Sequence, residues 1–188
     1  MKNKIRISKK ESLSKEHSSK ENNFRAEQTI LAMDLGTTTG WAVKHEYGIE
    51  SGSVSFKTKG FEGGGMRYLR FQYWLADLLI IAGKIDVVYF EEVRRHLGVG
   101  AAHAYGGFLS HLTSWCEMHK IPYKGVPVGT IKRFITGKGN ASKLEVIKSV
   151  EDLGHYPVDD NEADALALLH FAGAEGFISK KILSGGKK

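Results

Sequence analysis

The sequence predicts a mixed α/β domain: a five-stranded sheet, made of an antiparallel three-strand meander plus two parallel strands, flanked by helices. Three short strand-type runs separated by tight turns occupy residues 29–56. Two later apolar runs, 85–90 and 121–126, each follow a stretch with helical spacing. A strand that returns parallel through a helix must cross over right-handed, which leaves strands one, four and five parallel in one mixed sheet.

Taken in order, residues 29–35 form the first strand: a β-branched and apolar run that carries one carboxylate, Asp34. Gly36 and Gly40 bracket three threonines and mark a tight turn. Trp41–Lys44 and Gly52–Phe56 complete the meander, joined near Tyr47-Gly48. The polar, glycine-rich stretch 57–65 is a loop. Met66–Ile81 carries apolar residues at near-helical spacing and stops at Gly83. Ile85–Phe90 is the fourth strand and ends in Glu91-Glu92. Residues 94–100 form a basic loop, and Ala101–His119 is a helix whose small residues let another helix approach. Ile121–Val126 is the fifth strand. A short helix starts on Pro127, followed by helices over Ser142–Leu153 and Asp159–Ala174. Asp159 with Glu162 has the spacing of a capping box.

The net charge of +6 sits in the two ends. Residues 1–27 carry eight Lys/Arg and four Glu, and residues 177–188 carry four Lys and no acid, which leaves residues 28–176 at −2. The expectation is a disordered basic N-terminal arm over 1–27, one folded domain over 28–176 and a basic tail over 177–188. Such arms favour a polyanion, although solvated tails carry the same charge signature. A single cysteine, Cys116, excludes an internal disulfide and fits a cytoplasmic protein. No apolar run approaches the ~20 residues of a membrane span.

An acid inside an apolar strand is expensive to bury without a cation or a strong donor. In open α/β sheets, sites form at the carboxyl ends of parallel strands, where Asp34 and Glu91 both lie. A third source of acids is the last helix, where Asp160 and Asp164 share a face at i, i+4. Asp159 and Glu162 are explained by the helix dipole, but Asp164 lies beyond the first turn and runs straight into Ala165-Leu166-Ala167-Leu168-Leu169. Several carboxylates gathered together repel one another, and an oxygen-only donor set suits Mg²⁺, with Mn²⁺ as a substitute.

Four segments in order carry a resemblance: Ala-Met-Asp-Leu-Gly-Thr-Thr-Thr-Gly-Trp-Ala-Val (32–43), Val-Tyr-Phe-Glu-Glu-Val (88–93), Ile-Lys-Arg-Phe-Ile-Thr-Gly-Lys-Gly-Asn-Ala-Ser-Lys (131–143) and Asn-Glu-Ala-Asp-Ala-Leu-Ala-Leu (161–168). Together they resemble the RuvC-like Holliday-junction resolvases of the RNase H-like nuclease superfamily, over about residues 28–173. The resemblance implies a phage or bacterial source, an RNase H-like sheet, a homodimer, and two-metal phosphodiester hydrolysis on branched, four-way DNA. Asp34 matches the first-strand aspartate, Glu91 the glutamate closing the fourth strand, and Asp164 the final helical aspartate. Where the family often has another acid, three residues before Asp164, this chain has Asn161. Either its amide oxygen or the neighbouring Asp160 completes the set, and the charge of Asp160 favours it. Lys132 and Lys143 match basic residues near the scissile phosphate. Arg94, Arg95, Lys132, Arg133, Lys138 and Lys143 are the expected DNA contacts.

Two other classes compete. Asp34-Leu-Gly-Thr-Thr resembles the first phosphate-binding turn of actin-like and heat-shock-type ATPases, but those need two such lobes and about twice this length. A catalytically idle nucleic-acid-binding relative is kept open by Asn161. His103, His111, Cys116 and His119 lack the paired spacing of a zinc site. Tyr68, Phe71, Tyr73 and Trp74 read as core rather than as a base-stacking platform.

Overall fold

The computed structural model describes residues 28–93 and 98–175. The two basic ends lie outside the described residues, as do Arg94, Arg95 and His96. Five strands, β1 (Ile30–Asp34), β2 (Thr38–His45), β3 (Gly48–Ser55), β4 (Val87–Glu92) and β5 (Tyr123–Pro127), form one sheet in the order β3-β2-β1-β4-β5. The β1–β2 and β2–β3 pairs are antiparallel and the β1–β4 and β4–β5 pairs parallel, so the expected mixed sheet is present. The helices are α1 (Met66–Ala82), α2 (Val99–His119), α3 (Val128–Thr136), α4 (Lys143–Glu151) and α5 (Asp160–Ala174). Among the described residues no helix is long and apolar enough to cross a membrane.

Several boundaries differ from the sequence expectation, each for a local reason. The tight turn after β1 is shorter than the glycine spacing predicts, because β2 starts at Thr38 and takes in Gly40. The Thr39 hydroxyl closes that turn, donating to the Gly36 carbonyl at 2.8 Å and accepting the Gly36 N–H at 3.3 Å. β4 starts two residues late because Asp86 is spent on the Thr29 N–H (2.8 Å) and on Lys84 (3.0 Å). Pro127 ends β5 and serves as the N-cap of α3, rather than as its first residue. The reciprocal capping box is found not at Asp159 but at Ser142 and Glu145, which start α4. Gly83 ends α1 with φ +70°, a conformation that favours glycine.

Strand alternation divides the core between the two faces of the sheet. Leu31, Met33, Val88 and Phe90 face α1 and α2, packing on Phe71, Leu75, Phe108 and Leu112. Aromatic rings fill this layer: Phe71 lies 5.2 Å from Phe108 and 5.3 Å from Phe56, centroid to centroid. A side chain at Gly107 of α2 would collide with the Tyr68 ring, which is the close helix approach expected from the small residues of α2. Of the aromatic residues read as core, Phe71 is buried but Tyr73 is 64% exposed, because it lies on the outer side of α1.

Ile30, Ala32, Ala42, Val87, Tyr89 and Val126 face the other way, towards α3, α4 and α5. Here alanines are interspersed with larger aliphatic residues. Ala163, Ala165, Ala167 and Ala172 are buried together with Leu166, Leu168 and Leu169, so α5 is apolar almost all round, as a central helix is.

Candidate active site

The period of two along each strand decides which way the acids point. Asp34 follows Ile30 and Ala32 on the α5 face, and Glu91 follows Val87 and Tyr89 on the same face. The strands run parallel in the register Ala32–Tyr89 and Met33–Phe90, so Asp34 and Glu91 stand side by side one step further on. Tyr105 of α2 pins the end of β4: its hydroxyl donates to the Glu91 carbonyl at 2.9 Å and accepts the Val93 N–H at 3.3 Å.

Asp164 comes from above, on α5, and two devices bring that helix down onto the sheet. Gly40, the cross-strand partner of Asp34, lies beneath the α5 backbone. A Cβ at Gly40 would overlap the Asn161 carbonyl group, so only glycine permits this approach. The second device is a pair of hydrogen bonds from β3. The Ser53 hydroxyl donates to Asp159 at 2.6 Å, and the Ser51 hydroxyl donates to the buried Glu162 at 2.6 Å. Asp159 also accepts the Glu162 N–H (2.9 Å), and Glu162 accepts the Val158 N–H (2.7 Å). The first turn of α5 is thus tied to an edge strand.

The site is strongly anionic. Burial, and then the charges of Asp164 and Asp160, push the Asp34 carboxyl up to about 7. Burial, and then Asp34 and Asp164, push Glu91 up to about 8. Burial raises Asp164 to about 6, with Lys132 opposing it and Asp160 adding to it. Lys143 acts on all three in the lowering direction. Its ammonium forms an ion pair with Asp160, which raises the Lys143 pKa. The Lys132 ammonium donates to the Ala141 carbonyl at 2.7 Å, tying α3 to the segment that enters α4.

The structure therefore brings Asp34, Glu91, Asp160, Asp164, Lys132 and Lys143 into one electrostatic neighbourhood. Arg133 and Lys138 are exposed on and just after α3, and Lys138 pairs with Glu145 at 3.1 Å. Asp160, the expected fourth acid, points its carboxylate at Lys143. The Asn161 backbone lies over Gly40, and its side chain bonds Asp159. Among the described residues no three His, Cys, Asp or Glu side chains already form a ready-made ion cage. The chemistry of the donors still fits a hard divalent cation: all are oxygens, and burial together with neighbouring carboxylates holds the Asp34, Glu91 and Asp164 carboxyls above their ordinary range.

Sequence reasoning missed the tethers. Asp159 and Glu162 read as dipole acids, whereas both bond to β3 across more than a hundred positions. The signal available was weak: alternate serines at 51 and 53 on one strand face, and a glutamate beside the apolar side of a helix. Of the threonines after β1, Thr38 and Thr39 belong to β2, and the Thr39 hydroxyl is spent on Gly36.

Among solved structures, the chain is similar to T. thermophilus RuvC in complex with a Holliday junction substrate: 23% identity, a TM-score of 0.64, 76% of this chain and 90% of that one covered. A second Thermus thermophilus RuvC structure matches at 22% identity and a TM-score of 0.61, covering 79% of this chain and 97% of the other. Ydc2, the yeast mitochondrial Holliday junction resolvase, matches at 13% identity and a TM-score of 0.53, covering 79% and 78%. At these identities the likeness is one of fold, and the fold is RuvC-like. No family model and no curated protein matches the chain.

Proposed function

We propose that the protein is a metal-dependent, structure-selective DNA endonuclease that resolves four-way junctions. The observation that carries this reading is the gathering of Asp34, Glu91 and Asp164 at the carboxyl end of the sheet, on a fold shared with junction resolvases.

In this reading Asp34, Glu91 and Asp164 would hold Mg²⁺, with Asp160, which pairs with Lys143, as the candidate fourth ligand. Bound metal supplies activation of a water and charge relief at the leaving 3′ oxygen. Lys143 and Lys132 offset charge on the phosphate in the transition state. Lys132 also keeps the α3–α4 segment in place through Ala141. Arg133 and Lys138, with Arg94 and Arg95, contact the DNA backbone and set its position rather than its sequence. A homodimer makes the paired cuts that a symmetrical junction needs. In support of pairing, α1 leaves Tyr73, Ile80 and Ile81 exposed.

The test is purified protein with Mg²⁺ and labelled four-way junction, flap, linear duplex and structured RNA. Symmetrical junction nicks abolished by Asp34→Asn support the reading. ATP turnover without nuclease activity, or an Asp34→Asn variant as active as the wild type, overturns it. A strictly monomeric mass at assay concentration counts against paired cleavage. One observation favours a binding-only relative: Asp160 is held by Lys143 and Asn161 replaces an acid. Tight junction binding without any cut in Mg²⁺ or Mn²⁺ selects that alternative.

A further inference from the structure

Two histidines outside the carboxylate site face each other. His155 follows α4 and His170 lies on α5, with their Nε2 atoms 2.8 Å apart and their ring centroids 5.0 Å apart. His170 lies six positions past Asp164, about 9 Å further along the helix. The pair is therefore a separate cluster on the same helix.

Local structure fixes where both rings start. At the end of α4 the Gly154 N–H donates to the Glu151 carbonyl at 2.8 Å, and the His155 N–H reaches back to the Val150 carbonyl at 3.3 Å. Gly154 takes φ +91°, so a glycine-closed helix end sets the position of His155. His170 is carried by the central helix, next to buried Leu169, and both histidines are half-buried. A cavity of about 370 Å³ opens beside His170, lined also by Phe134, Ile135, Ser149, Asp152 and Leu153.

A neutral imidazole pair meets in this way when one Nε2 carries the proton and the other accepts it. A metal ion can take the place of that proton, with both Nε2 lone pairs turned to it. A tetrahedral ion with nitrogens at ~2.0–2.1 Å sets them about 3.3 Å apart. The rings then part by about half an ångström, and the adjoining cavity gives them room. Oxygen donors are few here: the Ser149 hydroxyl donates to the Glu145 carbonyl at 2.9 Å, and Asp152 adds one carboxylate to the lining. Imidazole nitrogens select Zn²⁺ or Cu²⁺ over Mg²⁺. Burial, and then the charges of His155 and Lys44, hold the His170 pKa below its ordinary value, which keeps that ring in the neutral form a metal needs.

We propose that His155 and His170 form a binding site for a divalent transition metal of the Zn²⁺ class, distinct from the carboxylate site. The ion staples the end of α4 to α5. Lys143 starts α4, and α5 carries Asp160 and Asp164, so the staple joins the two helices that bring those groups together. The site stands whether or not the nuclease reading does.

The experiment uses the full chain with Zn²⁺ as the probe and Mg²⁺ in excess to compete for the carboxylates. Long-range ¹H–¹⁵N spectra follow each imidazole nitrogen. Zn²⁺ is expected to shift the Nε2 signals of His155 and His170 together and to raise the thermal midpoint. His155→Ala and His170→Ala are each expected to weaken this binding by at least about tenfold. His155 lies outside the helices, so its variant carries the test if His170→Ala does not fold. Asp34→Asn is expected to bind Zn²⁺ at the pair within about twofold of wild type. Unmoved Nε2 signals, which leave the pair sharing a proton only, overturn the proposal. So does a shift confined to one of the two rings, or Zn²⁺ affinity unchanged in His155→Ala. Loss of the binding in Asp34→Asn also overturns it, because the ion then belongs to the carboxylates.

Discussion

The two faces of the sheet are built from different material. The α1/α2 face is rich in aromatic rings, with Phe56, Phe71 and Phe108 in T-shaped and tilted contact and Tyr68 and Trp74 against them. The α3–α5 face is mainly aliphatic, with Ala32, Ala42, Ala163, Ala165 and Ala167 set among leucine, isoleucine and valine where α5 meets the sheet. Large rings keep helices away from a sheet and give stability through area. Small residues let a helix lie close, which is what carboxylates from a strand and a helix need in order to meet. Stability and the candidate chemistry are thus separated by the sheet itself, and substitutions on the two faces should fail in different ways.

The largest expected effect is on the alanine face. Asp34→Asn should lower junction cleavage by on the order of 10³-fold while leaving the fold intact, since it removes charge without volume. Circular dichroism alongside a cleavage time course checks both halves. Next comes the aromatic face. Phe108→Ala should cost ~3–5 kcal/mol of stability, read by urea unfolding, with little change in cleavage rate per folded molecule. A large rate loss at permissive temperature would show that the faces are coupled.

Gly40→Ala should do some of each. The overlap with the Asn161 carbonyl forces α5 outward, costing ~1–3 kcal/mol and about a hundredfold in rate from misplaced Asp164. If Gly40→Ala cleaves normally, close helix approach is not what assembles the site.

Metal-free stability should also depend on pH in an unusual direction. Asp34, Glu91 and Asp164 titrate at about 7, 8 and 6 in the folded protein, above the ordinary carboxyl values near 4. Between those values the native state holds protons that the unfolded chain has released. Their contribution is therefore complete below about pH 4 and lost as pH rises through 6 to 8. Thermal melts in chelator should show a falling midpoint from pH 5 to pH 8, with a shallower fall in Asp34→Asn. Added Mg²⁺ should recover most of the loss at pH 8, because cation binding takes up the ionised carboxylates. The smallest effect is Ser53→Ala, which removes one of the two bonds from β3 and should cost ~1 kcal/mol, read in the same melts.

Local pattern made much of this legible. A short β-branched and apolar run marked β1, helical spacing marked α1 and α5, and the position of Asp164 past the first helical turn set it apart from dipole acids. Boundaries slipped wherever a side chain closed a turn by itself, as at Thr39, Asp86 and Pro127, since those bonds shift a strand end without altering composition.

The sequence by itself determined which residue types stand at which face: once β1 and β4 are parallel neighbours, the period of two sends Asp34 and Glu91 to the same side. Only the tertiary structure decided how close α5 comes. The fit of Asn161 over Gly40 and the bonds Ser51–Glu162 and Ser53–Asp159 join residues more than a hundred positions apart. So did the pairing of Lys143 with Asp160, which leaves that acid facing a lysine rather than the other carboxylates. The physical reason is range. Alternation and helical spacing are written into neighbouring residues, whereas a hydrogen bond or steric fit between distant elements exists only once the chain has closed around it.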